Sequence, residues 1–183
     1  MALYPRPLSV GDHVRVVAPA RSLAYVEQGP AGRFVAQLAT RRLEQLGLSV
    51  SFGANVRVSD MFWSAPGKLR AEDLIDAYSD PSVDGIMSVI GGFPSYEILP
   101  HLDFDVIAEH PKFLCGNSDV SALANAVYAK TGQVVYVGPH WSTLGMRDFG
   151  EVTRDAFVQA AFTDGPIVWQ PGDWFTDDDW FIN

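Results

Sequence analysis

A chain of 183 residues, 48% apolar and 19% charged, is not an intrinsically disordered protein, and its length fits one domain able to build its own core. With 13 Lys and Arg against 22 Asp and Glu, its formal net charge is −9, which excludes the overall positive field that draws in nucleic acid or anionic lipid. One cysteine, Cys115, rules out an intrachain disulfide and fits a reducing compartment.

The opening MALYPRPLSV holds two prolines and no apolar run, so it is not a secretory signal. No later stretch approaches the ~20 apolar residues of a membrane helix. A cytoplasmic chain is therefore expected. HVRVVAPA (13–20) alternates and is rich in valine, which predicts a first strand closed by Pro19. A loop from Arg21 to Gly29 follows. Val35, Leu38, Ala39, Leu43 and Leu46 recur at helical spacing over 31–46, and Gly47 stands where a left-handed cap ends a helix. LSVSFG (48–53) reads as a second strand. A second helix spans Lys68 to Tyr78, with Ala71, Leu74, Ile75 and Tyr78 as its buried stripe.

VDGIMSVI (83–90) is continuously apolar, as expected of a strand covered on both faces, and Gly91-Gly92 ends it. KFLCG (112–116) and QVVYVG (133–138) are two further short buried strands, with a helix over 120–130 between them. Thr153 to Phe162 is a last helix. Strands alternating with amphipathic helices predict an α/β domain with a mostly parallel sheet and helices on both faces. That domain is expected to cover 1–165. The acidic, tryptophan-rich 166–183 is a separate tail, read as the start of a linker to a second domain. If so, Trp169, Trp174 and Trp180 are expected to be partly exposed.

Sites in open parallel sheets form at the carboxyl ends of strands. Two such ends hold suggestive residues: Gly91-Gly92, and Gly116-Asn117-Ser118-Asp119. Ser118 sits between a buried strand and a helix, the setting of a nucleophile elbow, although Val120 replaces the second glycine of the usual Gly-x-Ser-x-Gly. The backbone N–H of Asp119 and one from the Gly91-Gly92 turn would then face the same oxyanion. The competing reading is helix capping, because Asn, Ser and Asp are the preferred caps. Of the histidines, His140 alone follows a strand end. It is a weak candidate for a base, and with Ser95 and Trp141 a candidate for the near wall of a substrate pocket. No metal motif, Gly-x-Gly-x-x-Gly or P-loop occurs, so no cofactor or metal is expected.

Several motifs occur in a fixed order. They are Ser64-Ala with Arg70-Ala-Glu-Asp-Leu, then Ile90-Gly91-Gly92-x-x-Ser95 and Leu99-Pro100-x-Leu102-Asp103. Pro111-Lys112-x-x-x-Gly116-Asn117-Ser118-Asp119-x-x-Ala122-Leu123 follows, then Lys130-Thr131-Gly132 and Gly138-Pro139. Over roughly residues 5–150 this pattern resembles the LD-carboxypeptidase family of serine peptidases, most closely its microcin-immunity branch.

The resemblance implies a Rossmann-like or flavodoxin-like N-terminal domain and metal-free hydrolysis of an amide. Ser118 corresponds to the nucleophile, and the backbone N–H groups of Asp119 and Gly92 to the oxyanion donors. It implies as substrates murein tetrapeptides or peptidyl and aminoacyl nucleotides, with no nucleic-acid or membrane partner. It also implies a cytoplasmic homodimer when full length. The family's catalytic glutamate and histidine lie in a C-terminal domain, and no segment here matches them. The chain alone is therefore expected to be an inactive N-terminal half. A non-catalytic domain that binds a peptide or nucleotide-peptide is the alternative.

Overall fold

The computed structural model describes residues 2–29, 31–148, 150–168 and 171–173. Trp169, Trp174 and Trp180, on which the expectation for the tail rests, lie outside the described residues. Four strands, β1 (His13–Val17), β2 (Ser49–Phe52), β3 (Gly85–Ser88) and β4 (Phe113–Cys115), form one all-parallel sheet in the order β2-β1-β3-β4. Among the described residues six α-helices cover it: α1 (Leu23–Glu27), α2 (Gly32–Gln45), α3 (Gly67–Ser79), α4 (Phe104–Glu109), α5 (Ser121–Thr131) and α6 (Glu151–Phe162).

The two-residue period of the strands sorts their side chains into two cores. Val14, Val16, Met87, Phe113 and Cys115 point to one face, where they meet Val35, Ala39 and Leu43 of α2 and Phe157 and Ala161 of α6. Val17, Ile86 and Leu114 point to the other, against Leu74 and Tyr78 of α3, Ile107 of α4 and Leu123 and Val127 of α5. Both faces are therefore covered, which is why β3 and β4 are apolar without alternation.

The expected helices over 31–46, 68–78, 120–130 and 153–162 stand within a few residues of their predicted bounds, and Gly47 takes φ +84° just past α2. Strand β3 ends at Ser88, which frees Val89 and Ile90 to lead into the glycine turn. Residues 133–138 do not form the expected strand. Tyr136 bridges Cys115 while Gln133 bridges Leu3, so the segment divides its backbone bonds between two neighbours and builds no ladder. Helix α1 stands where a loop was expected, and α4 in a stretch for which no element was predicted. At five and six residues they are too short to show a period, and they are started by caps instead. Ser22 accepts from the Ala24 N–H, and Asp103 accepts from those of Asp105 and Val106.

Arg70 of α3 is 2% exposed, and it binds the strand-end loops together. Its guanidinium donates to the carbonyls of Pro19 (2.7 Å), Ala65 (2.7 Å) and Pro94 (2.9 Å) and pairs with Glu97 at 2.5 Å. Burial draws its pKa down, and Glu97 opposes that shift. Removing the guanidinium leaves buried acceptors without a donor. Arg70→Met should cost about 2–4 kcal/mol, read from the urea midpoint. A loss under ~0.5 kcal/mol would show that Arg70 does not hold these loops.

Candidate active site

In this strand order the chain winds outward from β1 to β2, then crosses back to β3 and β4. The reversal falls between β1 and β3, and a crevice opens there beyond the carboxyl ends of the strands. A cleft of about 540 Å³ occupies it. Arg21 and Tyr25 come to it from beyond β1, Gly91, Gly92 and Phe93 from beyond β3, Asn117 and Ser118 from beyond β4, and His140 from the following segment.

Ser118 begins a 3-10 turn (Ser118–Val120) that leads into α5. Its φ is +55°, a left-handed conformation that costs a non-glycine residue about 1–3 kcal/mol. The side chain is exposed on the cleft and its hydroxyl bonds to no described residue. The backbone N–H groups of Asp119 and Gly92 likewise have no acceptor among the described residues.

The strain is held by Asp119. Its Oδ2 accepts from the Ser95 N–H at 2.9 Å. The Ser95 hydroxyl lies 2.6 Å from the Asp119 carbonyl and 2.8 Å from Oδ1, sharing its one proton between them. These bonds tie the serine turn to the chain just past Gly91-Gly92. They also decide against the capping reading, since neither Asn117 nor Val120 caps with its side chain and the Asp119 carboxylate is turned to Ser95.

Residues 14–138 match the LD-carboxypeptidase N-terminal domain. The chain belongs to the LD-carboxypeptidase family. It is 32% identical over 163 residues to the microcin C7 self-immunity protein MccF of Escherichia coli, covering 86% of this chain and 45% of that one. A murein tetrapeptide carboxypeptidase of Pseudomonas aeruginosa is 28% identical over 138 residues, covering 75% and 42%. An MccF-like crystal structure from Bacillus anthracis superposes with a TM-score of 0.93 at 41% identity, over 99% of this chain and 54% of that one. MccF itself has been solved with aspartyl sulfamoyl adenosine, and its fold matches with a TM-score of 0.79 at 28% identity. The chain thus spans about half the length of the relatives it matches.

Within this LD-carboxypeptidase domain, Gly92, Ser118 and His140 line the cleft and Asp119 follows Ser118 in its turn, whereas the two other expected pocket residues are buried behind it. Ser95 is fully buried, with its hydroxyl spent on Asp119. Trp141 is fully buried in the core, edge-on to Phe52 at 5.4 Å. Neither lines the cleft. Cys115 is buried, and burial pushes its thiol up to about 12, so it is inert. Among the described residues no group of three or more His, Cys, Asp or Glu is placed to hold a metal, and no helix is long and apolar enough to cross a membrane.

The sequence reading overlooked Arg21, Tyr25 and Phe93. The signal for Arg21 was its place just past the first strand, under the same rule that found Ser118.

His140 is held from behind. Its Nδ1 lies 2.8 Å from the Ser88 hydroxyl, and the next two residues bond through their backbone N–H groups to Ser88 and Val89. A methyl built on Gly91 would sit 3.1 Å from Ser118 Oγ and 3.3 Å from His140 Nε2, so both atoms border the same small space. Burial lowers the His140 pKa to about 4. The ring is therefore neutral at pH 7.

The unfolded chain binds this proton near pH 6.5 and the folded chain only near 4. Stability is thus complete above about 6.5 and falls as the pH drops toward 4. Relative to His140→Gln, the native chain should lose on the order of 3 kcal/mol between pH 7 and pH 4. Parallel pH profiles of unfolding for the two proteins would refute the burial of a neutral ring.

Proposed function

We propose that this chain carries the nucleophile of a serine amide hydrolase acting on small peptides or aminoacyl nucleotides. One observation carries the reading: a strained, unbonded serine hydroxyl faces a cleft beside two backbone N–H groups that lack acceptors. In the reaction, Ser118 Oγ adds to the amide carbonyl carbon and the carbonyl oxygen becomes an oxyanion against the N–H groups of Asp119 and Gly92. The serine proton passes to a base and then to the departing amine as the C–N bond breaks. Water cleaves the acyl-serine by the same route and restores the hydroxyl.

The relatives support an amide as the bond cut. One is a murein tetrapeptide carboxypeptidase, and another, MccF, has been solved with an aminoacyl sulfamoyl nucleotide. By the family resemblance we also propose a cytoplasmic homodimer for the whole protein.

His140 is a poor base for this step. Its pKa lies near 4, and a hydroxyl rather than a carboxylate stands behind it. We place the base outside the described residues, so the 183-residue chain by itself should show only the residual rate that oxyanion donors and binding provide. The same observation favours the alternative of a non-catalytic binding domain, and a covalent probe separates the two. A peptidyl boronic acid needs no base to form a tetrahedral adduct with a presented serine. It should bind the native chain with a tetrahedral boron NMR signal, and Ser118→Ala should abolish the signal and weaken binding at least ~10-fold. Equal binding to both proteins, with trigonal boron, would refute the nucleophile. Rapid Ser118-dependent turnover of murein tetrapeptide or aspartyl sulfamoyl adenosine by the isolated chain would refute the external base.

A further inference from the structure

We infer that Arg21 is the specificity residue of this cleft, and that it selects substrates bearing an oxyanion group, a terminal carboxylate or a phosphoryl, next to the scissile amide. The inference rests on the reading of Ser118 as nucleophile and adds the chemistry of what binds beside it.

Three observations converge on Arg21. The first is its place. Its backbone N–H reaches the Gly91 carbonyl at 3.4 Å, and a methyl on Gly92 would lie 3.0 Å from its Cγ. Its stem is therefore packed on the turn that supplies an oxyanion donor, and its side chain lines the cleft with Ser118.

The second is its state. The guanidinium carbon stands 4.5 Å from the centre of the Tyr25 ring and 5.2 Å from that of Phe93. Aromatic contacts engage the flat face of a guanidinium, while its five N–H donors lie in the plane. None of those donors bonds to a described residue, and no described carboxylate pairs with Arg21. Arg6, Arg15, Arg57 and Arg70, by contrast, each hold a carboxylate. Arg21 is half-buried, oriented by two rings, and left with its hydrogen-bonding edge free.

The third is the local charge. The whole chain carries −9, yet among the described residues no Asp or Glu lines this cleft, and its histidine is neutral at pH 7. An oriented guanidinium without a counter-charge, in a recess that excludes carboxylates, is built to receive an anion through a planar fork. A carboxylate one residue beyond the amide and a phosphoryl group of a nucleotide offer it the same oxygens.

The test is equilibrium binding by calorimetry to the native chain, Arg21→Met and Arg21→Lys, with circular dichroism confirming that each is folded. Met keeps the apolar stem and removes the charge, and Lys keeps the charge and removes the fork. Two ligand pairs distinguish the source of the anion: murein tetrapeptide against its terminal carboxamide, and adenosine monophosphate against adenosine. Arg21→Met should weaken the charged member of one pair by roughly 10- to 100-fold and leave its uncharged partner within ~2-fold, with Arg21→Lys in between. A penalty on the tetrapeptide assigns the carboxylate, and a penalty on the monophosphate assigns the phosphoryl. Tight binding by the native chain that Arg21→Met leaves unchanged, or weakens equally for charged and uncharged ligands, overturns the role of Arg21 and leaves the nucleophile standing. No binding of any of the four by the native chain overturns this inference together with the substrate classes proposed above, whereas the boronic acid experiment judges Ser118 separately.

Discussion

The bonds between Asp119 and Ser95 are the constraint on which the site depends. A serine at φ +55° relaxes unless its surroundings prevent it. Here the carboxylate one residue along is anchored to the backbone and hydroxyl of a fully buried serine from a different strand end. Two loops 24 residues apart in sequence are thereby bonded into one piece. That piece carries the Ser118 hydroxyl and the backbone N–H groups of Asp119 and Gly92, which have no acceptor among the described residues. The oxyanion stabilisation proposed for this site needs donors fixed before the charge develops, and anchoring of this kind is what would fix them.

The rest of the fold is arranged to keep the piece at the crevice. The strand order opens a gap between β1 and β3, and Arg70 closes the gap's floor by bonding to the loops after both. Gly116, two residues before Ser118, cannot take a side chain, because a Cβ there would collide with Ser88, the residue that orients His140. Serine turn, glycine turn and histidine are thus in contact through their supports as well as across the cleft. The electrostatics follow from the same packing: burial lowers the imidazole pKa to about 4, and no described carboxylate pairs with Arg21.

Much of this was legible in the sequence because it rests on local pattern. Apolar runs at 83–90 and 112–116 announced strands buried on both faces, and residues just past them line the cleft. Gly92, Ser118 and His140 line one cleft, and Asp119 follows Ser118 in the same turn. What stayed hidden depends on distant partners. Nothing near Ser95 says that its hydroxyl belongs to Asp119, so a pocket role was the natural expectation for it. Trp141 adjoins a cleft residue in sequence, yet the chain direction turns its ring into the core beside Phe52. Residues 133–138 have the composition of a strand, but Leu3 takes half of their bonding. Helices α1 and α4, at five and six residues, make too few turns for a helical period to be read.

The most direct test of the account is a crystal structure of the Asp119→Ala variant beside that of the native chain. With the anchor removed, Ser118 should relax to negative φ, its hydroxyl should leave the cleft, and the 91–95 loop should shift from the serine turn. If Ser118 instead keeps φ near +55° with its hydroxyl still in the cleft, the Asp119–Ser95 bonds are not what presents it.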